Sequence, residues 1–280
     1  MKTLQTFTMA VLIVATTTMS AQKCDPTACK TTKEKKIVMV SGKMSSSTSN
    51  AGIAADGNQK SINDSDYVLI DLVVLNMGYG EKDRAAYSKK TAKIASKYQL
   101  KKAQSYGIQS HLAGMGPKNA FEFNLWTMPS PTSMAALGQD PAYQANVPNR
   151  DKIHDMKALT LFLARPKTGF GGFTPKDGKS YLLDFVIMNE GAGALQRSIY
   201  NSKVRKIAKK HNVDMVASFD VLQELGGAIH NVLEVNIWEM DSPASMKALG
   251  VDAEYQANIE FRNQIHNMQD LTLYMANAKR

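Results

Sequence analysis

Cysteine and long hydrophobic runs are the scarcest features of this 280-residue chain. Its two cysteines, Cys24 and Cys29, lie near the N-terminus, with no second cysteine pair and no histidine directly after them. This spacing argues against zinc-binding and haem-attachment motifs, so we expect no metal site. It allows one local disulfide in an oxidising compartment, which would add little to the stability of the fold.

Apolar runs in the sequence are all shorter than the roughly 18 residues that a membrane-spanning helix needs, so we expect no transmembrane segment. The short run at residues 9–15 follows Lys2 and precedes Met-Ser-Ala at residues 19–21. That arrangement is typical of a cleaved secretory signal over residues 1–21 and predicts a secreted or periplasmic protein. Residues 22–66 are rich in Ser, Asn, Gly, Asp and Lys, and predict a disordered tail.

Basic residues outnumber acidic ones by 34 to 25, which gives a formal net charge of +9. A basic protein favours weak contact with acidic surfaces such as polysaccharide or lipid headgroups. Ordinary solubilising charge is the simpler explanation of the same excess. We expect no specific nucleic-acid partner.

The main feature that the chain does have is an internal repeat. The segment of residues 122–161 returns at residues 234–273, 112 positions later and without a gap. Residues further upstream pair at an offset of 113, including Arg84 with Arg197 and Tyr87 with Tyr200. The repeat predicts a first unit at residues 67–165, a Gly/Pro/Lys-rich linker at 166–180, and a second unit at 181–278.

Hydrophobic patterning gives each unit the order β-α-β-β-α-β. A continuous apolar run predicts a central strand, and a four-residue stripe on one face predicts the first helix. The predicted strands of the first unit are 67–75, 101–110, 120–126 and 158–164; its helices are 81–98 and two pieces that begin at Ser130 and Asp140. In the second unit the predicted strands are 182–188, 232–238 and 271–275, with a helix at 194–211.

This order is that of the ferredoxin-like split unit, an α+β arrangement. The segment DPAYQANVPNR at residues 140–150, and its copy DAEYQANIEFR at 252–262, resemble the dimeric α/β-barrel (Dabb) superfamily, and in particular its small uncharacterised single-domain proteins. Two identical chains usually form the barrel there. The resemblance therefore implies that two covalent ferredoxin-like units form one intramolecular barrel, a self-contained pseudo-dimer with a cavity between each sheet and its helices.

The superfamily includes cofactor-free monooxygenases, haem-degrading enzymes, isomerases and proteins without known activity. The haem-degrading branch carries a helical Trp and His where this chain has Ala136 and Asn146, and Ala248 and Asn258 in its second copy. We therefore do not carry haem chemistry over, and we expect no cofactor.

Strand alternation gives the first candidate site. It places Glu122, Asn124 and Trp126 on one face of a strand, with apolar residues on the other. A polar face on an interior strand predicts either a wet, ligand-binding cavity or a hydrogen-bonded network across the two sheets. The predicted ligand-binding residues of this set are Asp71, Glu122, Asn124 and Trp126 with their copies Asp184, Glu234, Asn236 and Trp238.

A second candidate set follows the helical spacing of residues 143, 146, 150 and 154. Histidine suits proton transfer near neutral pH, and arginine suits an anionic oxygen. The alternative is structural, with the tyrosine packed, the arginine paired with an acid and the histidine at the helix end. The predicted catalytic residues are Arg150, His154, Arg262 and His266, and Tyr143 and Tyr255 are predicted to bind ligand.

These patterns support two hypotheses about function. The first is a secreted protein that binds a small apolar or aromatic molecule, either with or without cofactor-independent monooxygenase or isomerase chemistry. The second is a non-enzymatic module that uses the basic face of helix 194–211 on an acidic surface. A glycine turn at residues 76–80 fits a strand–helix connection better than a phosphate loop, because it has no P-loop lysine.

Overall fold

The computed structural model describes residues 67–170 and 173–279. The predicted signal segment, the predicted tail and both cysteines lie outside the described residues. The described chain begins with strand β1, and its elements follow the predicted order in each unit. In the first unit these are β1 (Tyr67–Val74), α1 (Glu81–Ala95), β2 (Lys101–Ala113), β3 (Ala120–Met128), α2 (Thr132–Gln139), α3 (Pro141–Gln144), α4 (Val147–Ile153) and β4 (Thr160–Pro166).

The second unit repeats this order. Its elements are β5 (Ser180–Ile187), α5 (Ala194–Lys209), β6 (Val213–Gly226), β7 (Val232–Met240), α6 (Pro243–Gly250), α7 (Ala253–Gln256), α8 (Ile259–Ile265) and β8 (Thr272–Ala278). Helices α1 and α5 are shorter at their C-terminal ends than the patterns predicted, because each ends in a tight turn before a residue with positive φ, Gln99 or Asn212. Strand β6 was not predicted, since exposed residues interrupt its apolar pattern.

The strands form a closed antiparallel barrel in the order β1-β3-β2-β8-β5-β7-β6-β4. The predicted α+β class is thus confirmed, with the strands of each unit adjacent in the barrel. Two seams join the units, β2 to β8 and β4 to β6. Long, bulged strands β2 and β6 supply these seams, and because every strand of the barrel is paired on both sides, none of them presents a free edge.

Two glycines permit close backbone contact at the seams. Gly114 has φ +89°, and a Cβ there would lie 1.6 Å from the carbonyl oxygen of Leu271. Gly227 has φ +123°, and a Cβ there would lie 2.2 Å from the carbonyl oxygen of Leu159. Any side chain at either position would push the two units apart.

Aromatic side chains fill the barrel interior. Phe185 lies at its centre, with ring centroids 6.0 Å from Phe123, 6.2 Å from Phe162 and 6.0 Å from Tyr274. These rings are fully buried in one apolar cluster that spans both units. The apolar faces of β3 and β7 therefore meet the opposite sheet, and their polar faces meet the helices.

The helices pack outside the barrel, where smaller apolar clusters join each set to its own sheet. Within the described residues, no helix combines the length and apolar character needed to cross a membrane. The barrel wall thus separates two regions: an interior filled with aromatic side chains, and an outer space between the sheet and the helices. The polar residues singled out from the sequence lie in the outer space.

Candidate functional site

Polar strand residues lie beneath α1 in the first unit. Asp71 pairs in register with Asn124 across β1 and β3, and Asn124 donates a hydrogen bond to the Asp71 carboxylate at 3.2 Å. The second unit repeats this pair as Asp184 and Asn236, also at 3.2 Å. These hydrogen bonds stay within one unit and do not cross between the two sheets, so they do not hold the barrel seams together.

A buried arginine organises each polar group. Arg84 projects from α1 and lies 3.4 Å from both Asp71 and Glu122, and 3.2 Å from Nε2 of His154. Only 4% of Arg84 is exposed. The internal repeat pairs Arg84 with Arg197 but indicates no role for them. The available signal was a basic residue three positions before the buried Tyr87.

The second unit holds its arginine more tightly. Arg197 lies 2.9 Å from Glu234, 2.8 Å from Nε2 of His266 and 3.7 Å from Asp184. An arginine guanidinium stays protonated and can only donate, so Nε2 of each histidine must accept. Both histidines are therefore neutral, with the ring proton on Nδ1.

The pKa values of the histidines agree with this assignment. Burial, followed by the charge of Arg84, lowers the pKa of His154 to about 4. Burial and Arg197 lower the pKa of His266 to about 3. His154 donates from Nδ1 to the carbonyl oxygen of Arg150 at 2.9 Å. The imidazoles therefore orient the arginines, and their own lone pairs are occupied.

The two carboxyl groups of each cluster have pKa values that move in opposite directions. Burial raises the pKa of Asp71 and of Asp184. Burial acts on Glu234 in the same sense, but Arg197 and Lys167 outweigh it and lower its pKa to about 2. Each cluster thus contains one firmly ionised carboxylate and one carboxyl group that protonates more readily.

A lysine from the opposite unit completes each cluster. Lys279 follows β8 and reaches Glu122 of the first unit at 3.3 Å. Lys167 follows β4 and contacts Glu234 of the second unit. Backbone hydrogen bonds fix the position of both lysines. The amide of Lys279 donates to the carbonyl oxygen of Ser105, and the amide of Lys167 donates to the carbonyl oxygen of Ser218, each at 2.8 Å. This exchange lies at the two seams.

The helical set predicted from the sequence does not lie along one helix. A break between α3 and α4 separates Tyr143 from Arg150, although their side chains still meet at 3.4 Å. Arg150 also pairs with Asp151 at 2.7 Å. His154 ends α4 and packs edge-on against Tyr87, with centroids 4.8 Å apart. The equivalent contacts in the second unit are Arg262 with Tyr255 at 3.2 Å and His266 with Tyr200 at 5.0 Å.

A cavity of about 110 Å³ lies between the sheet and helices of the second unit. Its walls are mostly apolar, and a few polar groups converge on it. Glu234 and Asn236, also predicted to bind ligand, do not line it. The predicted residues that line it are Asp184, Trp238, Tyr255, Arg262 and His266, together with Arg197.

One substitution between the units changes the packing beside this space. In the first unit Asn146 is 2% exposed and turns inward to Thr91, with its amide nitrogen 3.4 Å from the hydroxyl. Val204 replaces that threonine in the second unit and offers no acceptor. Asn258 accordingly turns outward and donates to the carbonyl oxygen of Glu254 at 2.7 Å. Neither asparagine supplies a ring ligand, so these positions do not fit the haem site of the related branch.

No family model and no curated protein sequence matches the chain. Solved structures do resemble it. A chlorite dismutase variant from Candidatus Nitrospira defluvii matches with a TM-score of 0.51 and 10% identity, over 80% of this chain and 96% of that one. An anthrone oxidase-like protein matches with a TM-score of 0.50 and 9% identity, over 79% and 94%.

A protein proposed to be a monooxygenase, from Lactobacillus acidophilus, matches at a TM-score of 0.42 and 10% identity, over 77% of this chain and 98% of that chain. Likenesses at such low identity concern the fold alone. They are consistent with a ferredoxin-like α+β fold for this chain. Among the described residues, no group of three or more His, Cys, Asp or Glu side chains is arranged to hold a metal ion.

Proposed function

We propose that the chain binds a small apolar or aromatic molecule in the cavity of the second unit. The observation that carries the proposal is the cavity itself, in which apolar walls surround Asp184, Arg197, Arg262 and His266. Pockets of this composition, with a few convergent polar groups, are typical of ligand sites. A dry cavity of about 150 Å³ accommodates benzene, so a volume of about 110 Å³ favours a ligand no larger than one ring.

Size also limits what transfers from the structural neighbours. An anthrone has three fused rings and would exceed this cavity, so we do not propose that substrate here. The neighbours support a monooxygenase-like fold and leave the chemistry to the residues of the site.

The reaction that these residues favour is cofactor-independent acid–base or oxygen chemistry on such a ligand. Asp184 lines the cavity, and burial raises the pKa of its carboxyl group, which suits proton transfer. Arg262 lines the cavity from helix α8 and would stabilise an anionic oxygen. His266 is engaged by Arg197, so we assign it a positioning role within the predicted catalytic set. In the first unit, Arg150 and His154 occupy the equivalent positions.

A matched pair of variants tests binding. Leu249 lines the cavity, and Leu137 is its counterpart in the first unit. Leu249→Phe is expected to abolish binding of phenol and related single-ring compounds, measured by ligand-observed NMR, while Leu137→Phe retains it. Both variants must first show cooperative unfolding. Equal binding by the two variants would refute the proposed site.

Turnover is tested separately at Asp184. Asp184→Asn removes the titrating group but keeps the shape of the side chain. We expect this variant to bind the same phenols and to lose oxygen consumption or isomerisation, followed with an oxygen electrode and by product analysis. Unchanged turnover would assign the chemistry to another residue.

We further propose that the pseudo-dimer arose by tandem duplication and that the protein is exported. The first proposal is supported by the matching registers of β1 with β3 and of β5 with β7. The second rests on the sequence of residues 1–21, and N-terminal sequencing of the mature protein tests it.

A further inference from the structure

A second concave surface, the α5 groove, lies between helix α5 and strands β6 and β7. Its volume is about 560 Å³. One face of α5 forms a wall through Ser198, Asn201 and Ser202, and Ser218 and Met215 contribute from β6. Arg197 separates this groove from the smaller cavity, because it lines both.

The rim of the α5 groove is cationic. Arg205, Lys206 and Lys209 line it along α5, and the guanidinium of Arg205 lies 4.8 Å from the ring centroid of Phe170. Within the described chain, Lys206 and Lys209 form no ion pair with a carboxylate. The basic rim therefore has charge available for an anionic group.

The acids of the α5 groove lie on the side of the strands. Lys167 contacts both Glu234 and Asp220, the latter at 3.1 Å, and so compensates them. Asp214 also lines the groove, near the start of β6. Arg205, Lys206 and Lys209 thus lie on the helix, away from the acids of the strands.

The wall of the groove contains a hydrogen-bond acceptor without a partner. Asn201 lines the groove from α5, and its buried Oδ1 accepts no hydrogen bond within the described residues. An unpaired buried acceptor is costly, and a bound hydroxyl group would satisfy it.

The first unit shows the same position without these features. Lys102 occupies the register position of Met215, since Lys102 pairs with Trp126 as Met215 pairs with Trp238. The Lys102 ammonium extends to Ser88, the counterpart of Asn201, at 3.4 Å.

We propose that the α5 groove binds a hydroxylated organic anion of the sugar phosphate or sugar sulfate class. The cationic rim takes the phosphate or sulfate, and Oδ1 of Asn201 accepts from a sugar hydroxyl. The groove volume lies within the usual range for small-molecule sites, roughly 300–1,000 Å³. This site is separate from the proposed function of the smaller cavity.

The test is a titration of the full chain with glucose 6-phosphate, in which binding is measured by isothermal titration calorimetry and by changes in amide chemical shifts. A parallel titration with glucose 6-sulfate shows whether the groove prefers a phosphate or a sulfate. Glucose and inorganic phosphate, titrated separately, show how tightly the sugar and the anion bind on their own. We expect saturable binding of one sugar anion, with shifts confined to α5, β6 and β7, and at least tenfold weaker binding of glucose and of phosphate alone.

Matched variants sharpen the test. Lys206→Glu should weaken binding at least tenfold, whereas Lys93→Glu, the equivalent exposed change on α1, should alter it less than twofold. The double variant Asn201→Ser, Met215→Lys restores the pattern of the first unit and should abolish binding, with folding checked by circular dichroism. Three outcomes overturn the proposal. The first is no binding of either sugar anion, and the second is inorganic phosphate alone binding as tightly as the sugar anion. The third is equal loss of affinity in Lys206→Glu and Lys93→Glu, which is the result expected if only the overall positive charge of the protein mattered.

Discussion

Glu234 carries the sharpest stability prediction, because its carboxylate is buried between two cations. It is fully buried and contacts Arg197 at 2.9 Å as well as Lys167. Its pKa is about 2 against an ordinary 4.5. At 1.36 kcal/mol per pKa unit, the ionised form contributes about 3 kcal/mol to folding at pH 7.

The perturbation is Glu234→Gln, which keeps the shape and removes the charge. We expect the free energy of unfolding to fall by about 3 kcal/mol at pH 7, or about 6–12 °C in Tm for a chain of this size. The pKa is depressed in the folded state, so this stability is present above about pH 4.5 and is lost as the pH falls toward about 2. The difference between wild type and variant should therefore shrink over that range.

The assay is urea unfolding at several pH values, with Glu122→Gln as the matched control. Glu122 lies farther from its arginine, at 3.4 Å, and the same sequence change should cost less there. An equal loss in both variants, or a difference that does not change between pH 5 and pH 2.5, would refute the electrostatic explanation.

Three further predictions follow from the same structure. Arg197→Met removes the cation shared by the buried Asp184 and Glu234, leaves only Lys167 beside Glu234, and should cost about 3–5 kcal/mol in urea unfolding. Phe185→Ala should cost about 3–5 kcal/mol, because it opens a cavity at the centre of the barrel, while Leu195→Ala at an exposed position should cost less than about 0.5 kcal/mol. The pKa values of His154 and His266, about 4 and about 3, lie below that of an unfolded histidine, so acid favours the unfolded state. NMR should show both imidazole rings neutral at pH 5.5. Protonation of either ring at that pH would contradict the assigned tautomers.

The sequence predicted most of the fold because its periodic patterns are local. The apolar run of β1 and the alternation along β3 specify strands without reference to distant residues. Strand β6 was not predicted because exposed residues interrupt its apolar pattern, mainly in the half that pairs with β4 of the other unit. The segments that form the seams are also those in which the two copies differ most.

The candidate site was predicted only in part, for a similar reason. The alternation identified Asp71, Glu122 and Asn124, but the arginine that joins them arrives from a helix with mixed composition. The cross-unit lysines are still harder to foresee, since each follows a strand at a chain position far from the carboxylate that it contacts. Burial and charge compensation are properties of the assembled fold.

The exchange of Lys167 and Lys279 across the seams has a consequence for how the molecule assembles. Each half alone would expose two unpaired strand edges and leave one buried glutamate without its second cation. The covalent joint between β4 and β5 raises the effective concentration of one half around the other. A chain cut at that joint would thus remain a stoichiometric pair of fragments, with dissociation set by dilution.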